Sequence, residues 1–170
     1  MYRKNSFCSY CGQAFAADQA WPRTCSQCRR VTYLNPVPVA VTLLPVDGGL
    51  LCIRRDIDPG RGKLALPGGF VDVAETWQTA CVRELYEETG IVVAADEIRP
   101  FAVHSAPGDA VLLVFGLAPA RTAADLPPFR PTDETSERMI LRRAEEMAFP
   151  LHSLVVRELF GGSGPSILRA

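Results

Sequence analysis

The sequence predicts an α/β domain built on a mixed sheet with helices on its faces, preceded by a small cysteine-stapled module. Three observations predict it. Short apolar runs bounded by Gly, Pro and Asp recur between residues 37 and 142, two segments carry helical spacing, and four cysteines crowd the first 28 residues. Strand-rich material carrying two helices implies a covered sheet, because each apolar face has to be buried against another layer.

The bulk numbers set the frame. With 170 residues, 48% of them hydrophobic, the chain can build one sizeable core and a small appended module. A formal net charge of −1 gives no basic surplus for nucleic acid or a membrane surface. Met1 to Gln13 has no apolar h-region, and the runs Val37 to Leu44 and Val111 to Ala118 are far shorter than a membrane span of about 20 residues. The expectation is a soluble, cytoplasmic protein with no membrane partner.

The first module, residues 1–35, carries Cys8, Cys11, Cys25 and Cys28 as C-x2-C-x13-C-x2-C. Without a secretory signal this spacing favours metal over disulfides. The segment has almost no apolar periodicity, so it needs a staple. Four thiolates complete a closed tetrahedral Zn²⁺ site, structural rather than catalytic, and Gly12 suits the tight turn of a knuckle. Arg3, Lys4, Arg23, Arg29 and Arg30 make the module basic. A zinc tetrathiolate carries about −2, so internal compensation is favoured over a nucleic-acid partner. Cys52 and Cys81, isolated in apolar or helical segments, read as small core residues.

Asn35, Pro36 and Pro38 mark the boundary, leaving 36–170 for the main domain. Strands are predicted at Val37 to Leu44 and Leu50 to Arg54, joined as a hairpin through the turn Val46-Asp47-Gly48-Gly49. Asp56 to Lys63 reads as a loop. Further strands are predicted at Phe70 to Val73, Ile98 to Ser105, Asp109 to Leu117 and Arg138 to Arg142. Pro119 to Pro131 is a long connector, either a binding loop or a surface segment. Helices are predicted at Thr76 to Thr89 and Leu151 to Phe160, the second stopped by Gly161-Gly162.

The first helix carries the chemistry. Thr76 is a plausible N-cap and Gly90 stands where a left-handed glycine belongs. Glu84, Glu87 and Glu88 fall within an arc of roughly 100° on one face. Val82, Leu85 and Tyr86 lie on the other side and are expected in the core. Carboxylates at this spacing repel, and a helix C-terminus disfavours them, by tenths to about 1 kcal/mol each. Two readings follow: a solvated acidic face, or a site for Mg²⁺ or Mn²⁺, which prefer oxygen ligands. Arg83 can orient one carboxylate, such as Glu75, through a bidentate pair.

The string Gly69-x5-Glu75-x7-Arg83-Glu84-Leu85-x-Glu87-Glu88-x-Gly90-Ile91 fills every fixed position of the Nudix box, so the chain resembles the Nudix hydrolases. The resemblance implies a loop–helix–loop in an α/β/α sandwich, hydrolysing nucleoside diphosphates linked to another moiety. It assigns Glu84, Glu87 and Glu88 as carboxylates for Mg²⁺ or Mn²⁺, a backbone carbonyl at Gly68-Gly69 as a further ligand, and Glu75 with Arg83 as the structural pair. Glu134 and Glu137 are candidates for an additional ligand or the base, against the alternative that they are ordinary loop acids. Glu84 is a further candidate base. His104 and His152 read as surface or satisfied polar residues. Where many relatives have a tryptophan, this chain has Leu64.

A four-cysteine ribbon before such a domain, joined through Tyr33-Leu34-Asn35-Pro36, is similar to the NADH pyrophosphatases and other zinc-ribbon members. Their signature S-Q-P-W-P-F-P-x-S is not kept: the comparable stretch reads Glu145-Glu146-Met147-Ala148-Phe149-Pro150. No tyrosine follows Tyr86, which departs from the diadenosine-polyphosphate hydrolases. Pro107 stands where ADP-ribose pyrophosphatases tend to carry a proline. The expected substrate is ADP-ribose or a similar ADP-linked compound, with release of AMP; FAD, NADH or a nucleoside triphosphate come next. A homodimer is implied by the resemblance alone. Phe129 beside Arg130 is either a base-stacking group or a loop anchor. The rival class is a non-catalytic, nucleotide-binding regulatory module.

Overall fold

The computed structural model describes residues 4–106, 108 and 111–161. It separates into two units, Met1–Pro36 and Val37–Ala170.

The first unit is two similar turns. In one, the Cys8 N–H donates to Gln13 O at 2.8 Å and the Gly12 N–H to Cys8 O at 3.0 Å. In the other, the Cys25 N–H donates to Arg30 O at 2.9 Å and the Arg29 N–H to Cys25 O at 3.0 Å. The residue after each second cysteine is left-handed: Gly12 at φ 75° and Arg29 at φ 62°. Only the first turn uses the residue that tolerates this conformation freely. Strands β1 (Arg23–Thr24) and β2 (Val31–Thr32) pair antiparallel beside the second turn. Arg23 stacks on Trp21 at 4.5 Å and on Phe15 at 5.6 Å, which gives this core-poor segment some apolar cover.

The second unit begins with β3 (Val37–Leu43), β4 (Pro45–Val46) and β5 (Gly49–Arg55). Asp47 and Gly48 both have positive φ, 46° and 71°, as the tight turn of a hairpin demands. The expected hairpin is shorter than the sequence suggested. β3 belongs to one sheet, the buried chain crosses at Leu44, and only β4 pairs with β5 in the other. After β6 (Leu64–Ala65), β7 (Gly68–Phe70) replaces the predicted strand to Val73. Past Val71 the backbone turns, with the Glu75 N–H on Asp72 O and Ala74 at φ 68°.

Helix α1 (Trp77–Thr89) follows, then β8 (Arg99–Ser105), β9 (Val111–Leu117), β10 (Thr135–Leu141) and α2 (Pro150–Phe160). One sheet runs β7-β3-β9-β8, with β3 and β9 parallel and the other pairs antiparallel. The other runs β10-β5-β4, with β6 also on β5. Two apolar clusters sit between the layers. Ala80, Cys81 and Leu85 of α1 pack with Ala40, Leu44, Leu51 and Ile91; Val155, Val156 and Leu159 of α2 pack with Val41, Leu43, Leu50 and Phe115. Cys52 and Cys81 are fully buried, and burial pushes their thiols up to about 12 and about 11, so they are inert core residues.

Tyr86 is a correction: it is 58% exposed, while Leu85 alone of the expected trio is buried. The inward face of α1 is instead set by Ala80, Cys81 and Leu85, together with Glu88 and Thr89. Among the described residues, no helix is long and apolar enough to cross a membrane. Pro107, Asp109 and Gly162 lie outside the described residues.

Candidate functional site

Helix α1 is fixed at both ends. Thr76 Oγ1 accepts the Thr79 N–H at 3.1 Å, and the Gly90 N–H donates to Tyr86 O at 2.7 Å. Arg138 donates to Thr89 O at 2.9 Å, placing a cation where the helix dipole favours one. Its guanidinium also lies 5.6 Å from the Phe129 ring centre, so Phe129 anchors the connector.

The helix turns Glu84, Glu87 and Glu88 toward a cleft of about 990 Å³, which Gly68, Gly69, Phe70, Asp72 and Arg83 also line. Glu88 is 4% exposed, and its Oε2 accepts the Gly68 N–H at 2.9 Å. Burial raises its carboxyl to about 8, against the lowering effect of that hydrogen bond. Burial also raises Glu84, opposed by the hydrogen bond from Arg83. Glu87 is the exposed member.

Arg83 is fully committed. Nε and Nη2 fork onto the two oxygens of Glu75 at 3.0 and 2.9 Å. Nη1 reaches Glu84 at 2.7 Å and Glu87 at 3.1 Å, and Nη2 also reaches Phe70 O at 2.9 Å. The fork holds the Glu75 carboxyl below the usual carboxylate range. Glu75 thus serves Arg83, and Arg83 in turn orients two of the helix acids.

The two further acids part company: Glu134 stands in the loop before β10 and Glu137 within the strand. Glu134 lines the cleft, and its charge bears on both Glu84 and Glu88. Its loop is held by Thr132, whose Oγ1 accepts the N–H groups of Glu134 and Thr135. Glu137 pairs with Arg54 at 2.7 Å and is not among the residues that line the cleft. Neighbouring β-strands carry this pair side by side, which the sequence alone does not display.

The cleft also has an apolar wall: Val39, Val41, Leu66, Leu113 and Phe149. His152 also lines the cleft but is buried, with Nδ1 accepting the Leu66 N–H at 3.2 Å and its ring packed edge-on against Phe115 and Phe149. Burial brings it down to about 3, so it is a neutral structural group. His104 packs edge-on against Phe115 and is not among the cleft-lining residues. Sequence reasoning missed Arg55 and Phe149 as wall residues. Their signal was weak: one ends a strand and the other sits in a stretch that had lost its family signature.

The four cysteines converge more tightly. Their sulfurs all lie within 4.8 Å of one another, with Cys8–Cys28 at 3.7 Å and Cys11–Cys25 at 3.6 Å. The edge of a tetrahedron with Zn–S bonds of 2.3 Å is about 3.8 Å, so the donor set fits Zn²⁺. All four thiols are free. The helix glutamates are each already engaged, Glu84 and Glu87 by Arg83 Nη1 and Glu88 by the Gly68 N–H. They fit a hard cation that keeps waters and phosphates among its ligands.

The family profile described as NUDIX domain matches residues 34–159. The chain is 36% identical over 88 residues to an ADP-ribose pyrophosphatase of Methanocaldococcus jannaschii, covering 49% of this chain and 51% of that one. It is 34% identical over 93 residues to the NAD-capped RNA hydrolase NudC of Klebsiella pneumoniae, covering 54% and 36%. The chain thus matches about half or less of the length of these relatives. Among solved structures, a NUDIX hydrolase from Nitrosomonas europaea superposes with a TM-score of 0.72 at 28% identity, covering 92% of this chain and 93% of that one. The mixed α/β architecture is shared with it.

Proposed function

Since this chain belongs to the NUDIX domain family, we propose that it hydrolyses the diphosphate bond of an ADP-linked compound, ADP-ribose or a close analogue, releasing AMP. The observation that carries this is the buried Glu88, fixed by the Gly68 N–H beside Glu84 in a cleft large enough for a nucleotide. Burying carboxylates on one helix face is unfavourable unless a cation compensates them. The relative named ADP-ribose pyrophosphatase supports the choice of substrate.

Glu84, Glu87 and Glu88 would hold Mg²⁺ or Mn²⁺, with a backbone carbonyl at Gly68-Gly69. The cation supplies charge neutralisation at the phosphorus oxygens and acidifies water. The remaining work falls to the chain. Arg83 opposes the raising effect of burial on Glu84 and holds its carboxylate in place. Glu134, or Glu84 itself, accepts the proton of the attacking water. The apolar wall from Val39 to Phe149 excludes bulk water and receives the less polar part of the substrate.

Residues 1–35 form a zinc ribbon with a structural Zn²⁺ on Cys8, Cys11, Cys25 and Cys28, and residues 36–170 carry the hydrolase. The protein works in the cytoplasm as a homodimer. An NAD-related substrate or FAD is the second reading, supported by the relative named NAD-capped RNA hydrolase.

The test is a panel of ADP-ribose, FAD, NADH, NAD⁺ and nucleoside triphosphates with Mg²⁺ and with Mn²⁺. Metal-dependent release of AMP from ADP-ribose is expected, and Glu87→Gln or Glu88→Gln abolishes it. Full activity in those variants overturns the assignment of the acids. No hydrolysis across the panel overturns catalysis and leaves a nucleotide-binding module.

A further inference from the structure

Two guanidinium groups line the cleft, and they are in opposite states. Arg83 spends every nitrogen on Glu75, Glu84, Glu87 and Phe70 O. Among the described residues, Arg55 has no carboxylate partner, and its one side-chain hydrogen bond runs from Nε to Pro59 O at 2.9 Å. Nη1 and Nη2 are therefore left to a cleft that already holds six acidic residues, Asp72, Glu84, Glu87, Glu88, Asp133 and Glu134.

This arginine is also built in. Its N–H donates to Lys63 O at 3.0 Å, and its carbonyl accepts the Gly62 N–H at 2.8 Å. Its guanidinium lies 5.2 Å from the ring centre of Phe149, which packs in turn against His152. The next residue, Asp56, donates its N–H to Glu134 O at 2.7 Å, which ties this segment to the loop that carries Glu134. A half-buried guanidinium held by Nε and one face, with its terminal fork free, is pre-organised to take two oxygens of one anion. Its charge is felt at Glu88, where it partly offsets the raising effect of burial.

We propose that Arg55, stacked on Phe149, is a phosphate-binding residue that fixes the substrate's diphosphate in the cleft lined by the acidic helix. Glu84, Glu87 and Glu88 would hold a cation that neutralises the charge of the diphosphate, while the free Arg55 fork binds diphosphate oxygens directly. This deepens the functional reading above and rests on it for the identity of the site. It also explains why an arginine is kept in an acidic cleft without pairing to any acid there: the pairing would consume the fork.

The test is equilibrium binding of ADP and, separately, of inorganic pyrophosphate, in the presence of Mg²⁺, to the wild-type chain and to Arg55→Met and Arg55→Lys. Thermal melting checks that each variant is folded. Arg55→Met is expected to weaken both ligands by a similar factor, roughly tenfold or more, the size of a lost charged hydrogen-bond pair. Arg55→Lys restores only part, because an ammonium has no fork. A loss for ADP without one for pyrophosphate would make Arg55 a base-stacking or structural residue and overturn the proposal. So would unchanged binding of both, or a wild-type chain that takes ADP but not pyrophosphate. The hydrolase reading fails separately: a wild-type chain that binds both ligands through Arg55 yet turns over nothing in the substrate panel loses its catalysis but keeps this site.

Discussion

Gly69 lies directly against Glu84: a methyl group placed on its Cα would overlap the Glu84 carboxylate. The glycine at this point of the loop therefore acts through what it leaves empty, a space for a carboxylate brought up from the helix. Gly69→Ala is expected to fold, because its neighbour is the end of a side chain, but to push Glu84 off Arg83 and out of line. A displacement near 1 Å in a catalytic constellation lowers turnover by roughly a hundredfold. Steady-state kinetics with ADP-ribose and Mg²⁺, beside a thermal melt, check this. Near-normal turnover in a folded variant would remove Glu84 from the catalytic set.

The stability of the metal-free chain carries a pH signature with a definite sign. Burial raises Glu88 to about 8, against about 4.3 in an unfolded chain. Between those values the folded chain keeps a proton that the unfolded chain has released, so stability falls as pH rises. Burial raises Glu84 too, in the same sense. His152 works the other way: burial, helped by the charge of Arg55, brings it down to about 3, against about 6.5 unfolded. There the unfolded chain holds the extra proton, and stability rises with pH. Within the second unit, Glu88 and His152 offset each other from about pH 4.3 to about 6.5, and above that the buried glutamates act without His152. Urea melts without metal are expected to be nearly flat across the first window and to lose up to about 1.4 kcal/mol per pH unit from about 6.5 to 8. Glu88→Gln, whose amide oxygen still accepts the Gly68 N–H, removes most of that fall, and so does saturating Mg²⁺. An unaltered slope in Glu88→Gln would assign the titration to another group.

Ala74 holds a left-handed backbone, φ 68°, in the turn between β7 and α1. A non-glycine residue there carries about 1–2 kcal/mol of strain, while glycine loses roughly 0.5–1 kcal/mol more in chain entropy on folding. Ala74→Gly is therefore expected to stabilise by up to about 1 kcal/mol, read as a rise in the urea midpoint. A drop in the midpoint would show that the methyl group packs usefully in the turn.

These features differ in how far the sequence displays them. The helix was legible because its signals are local: Thr76 and Gly90 set its ends, and the spacing of Glu84, Glu87 and Glu88 sets its face. The Arg83–Glu75 pair follows from the same short string, which fills the family's motif. Tyr86 was misplaced because the inward face of α1 is decided by packing against the sheet, where Cys81 and Leu85 reach the core and Tyr86 does not. Arg55, Phe149 and Glu134 meet only across the cleft, from a strand end, the start of α2 and a loop. No sequence period records that meeting. Glu137 looked equivalent to Glu134 until strand pairing put Arg54 beside it.

The cysteine module tests the metal chemistry independently of catalysis. Each of its turns points two sulfurs inward, and the resulting spacing of 3.6 to 3.7 Å between opposed pairs is too long for disulfides and matches a tetrathiolate. Burial would raise the Cys8 thiol, but hydrogen bonds from the backbone of Tyr10 and Cys11 and from Cys28 and Cys11 outweigh it and bring it to about 6. The purified chain is expected to carry about one zinc per molecule, measured by metal analysis, and Cys25→Ser to lose it. Because the module has so little core of its own, removing the metal is expected to open residues 1–36 to proteolysis while the second unit, with its own two apolar clusters, stays resistant. Arg29 supplies a finer check: Arg29→Gly relaxes its left-handed turn while keeping all four ligands, so zinc content is retained and the chelator concentration needed to strip it rises. Full resistance of residues 1–36 to proteolysis after complete zinc removal would show that the stacked Arg23, Phe15 and Trp21, rather than the metal, hold the module together.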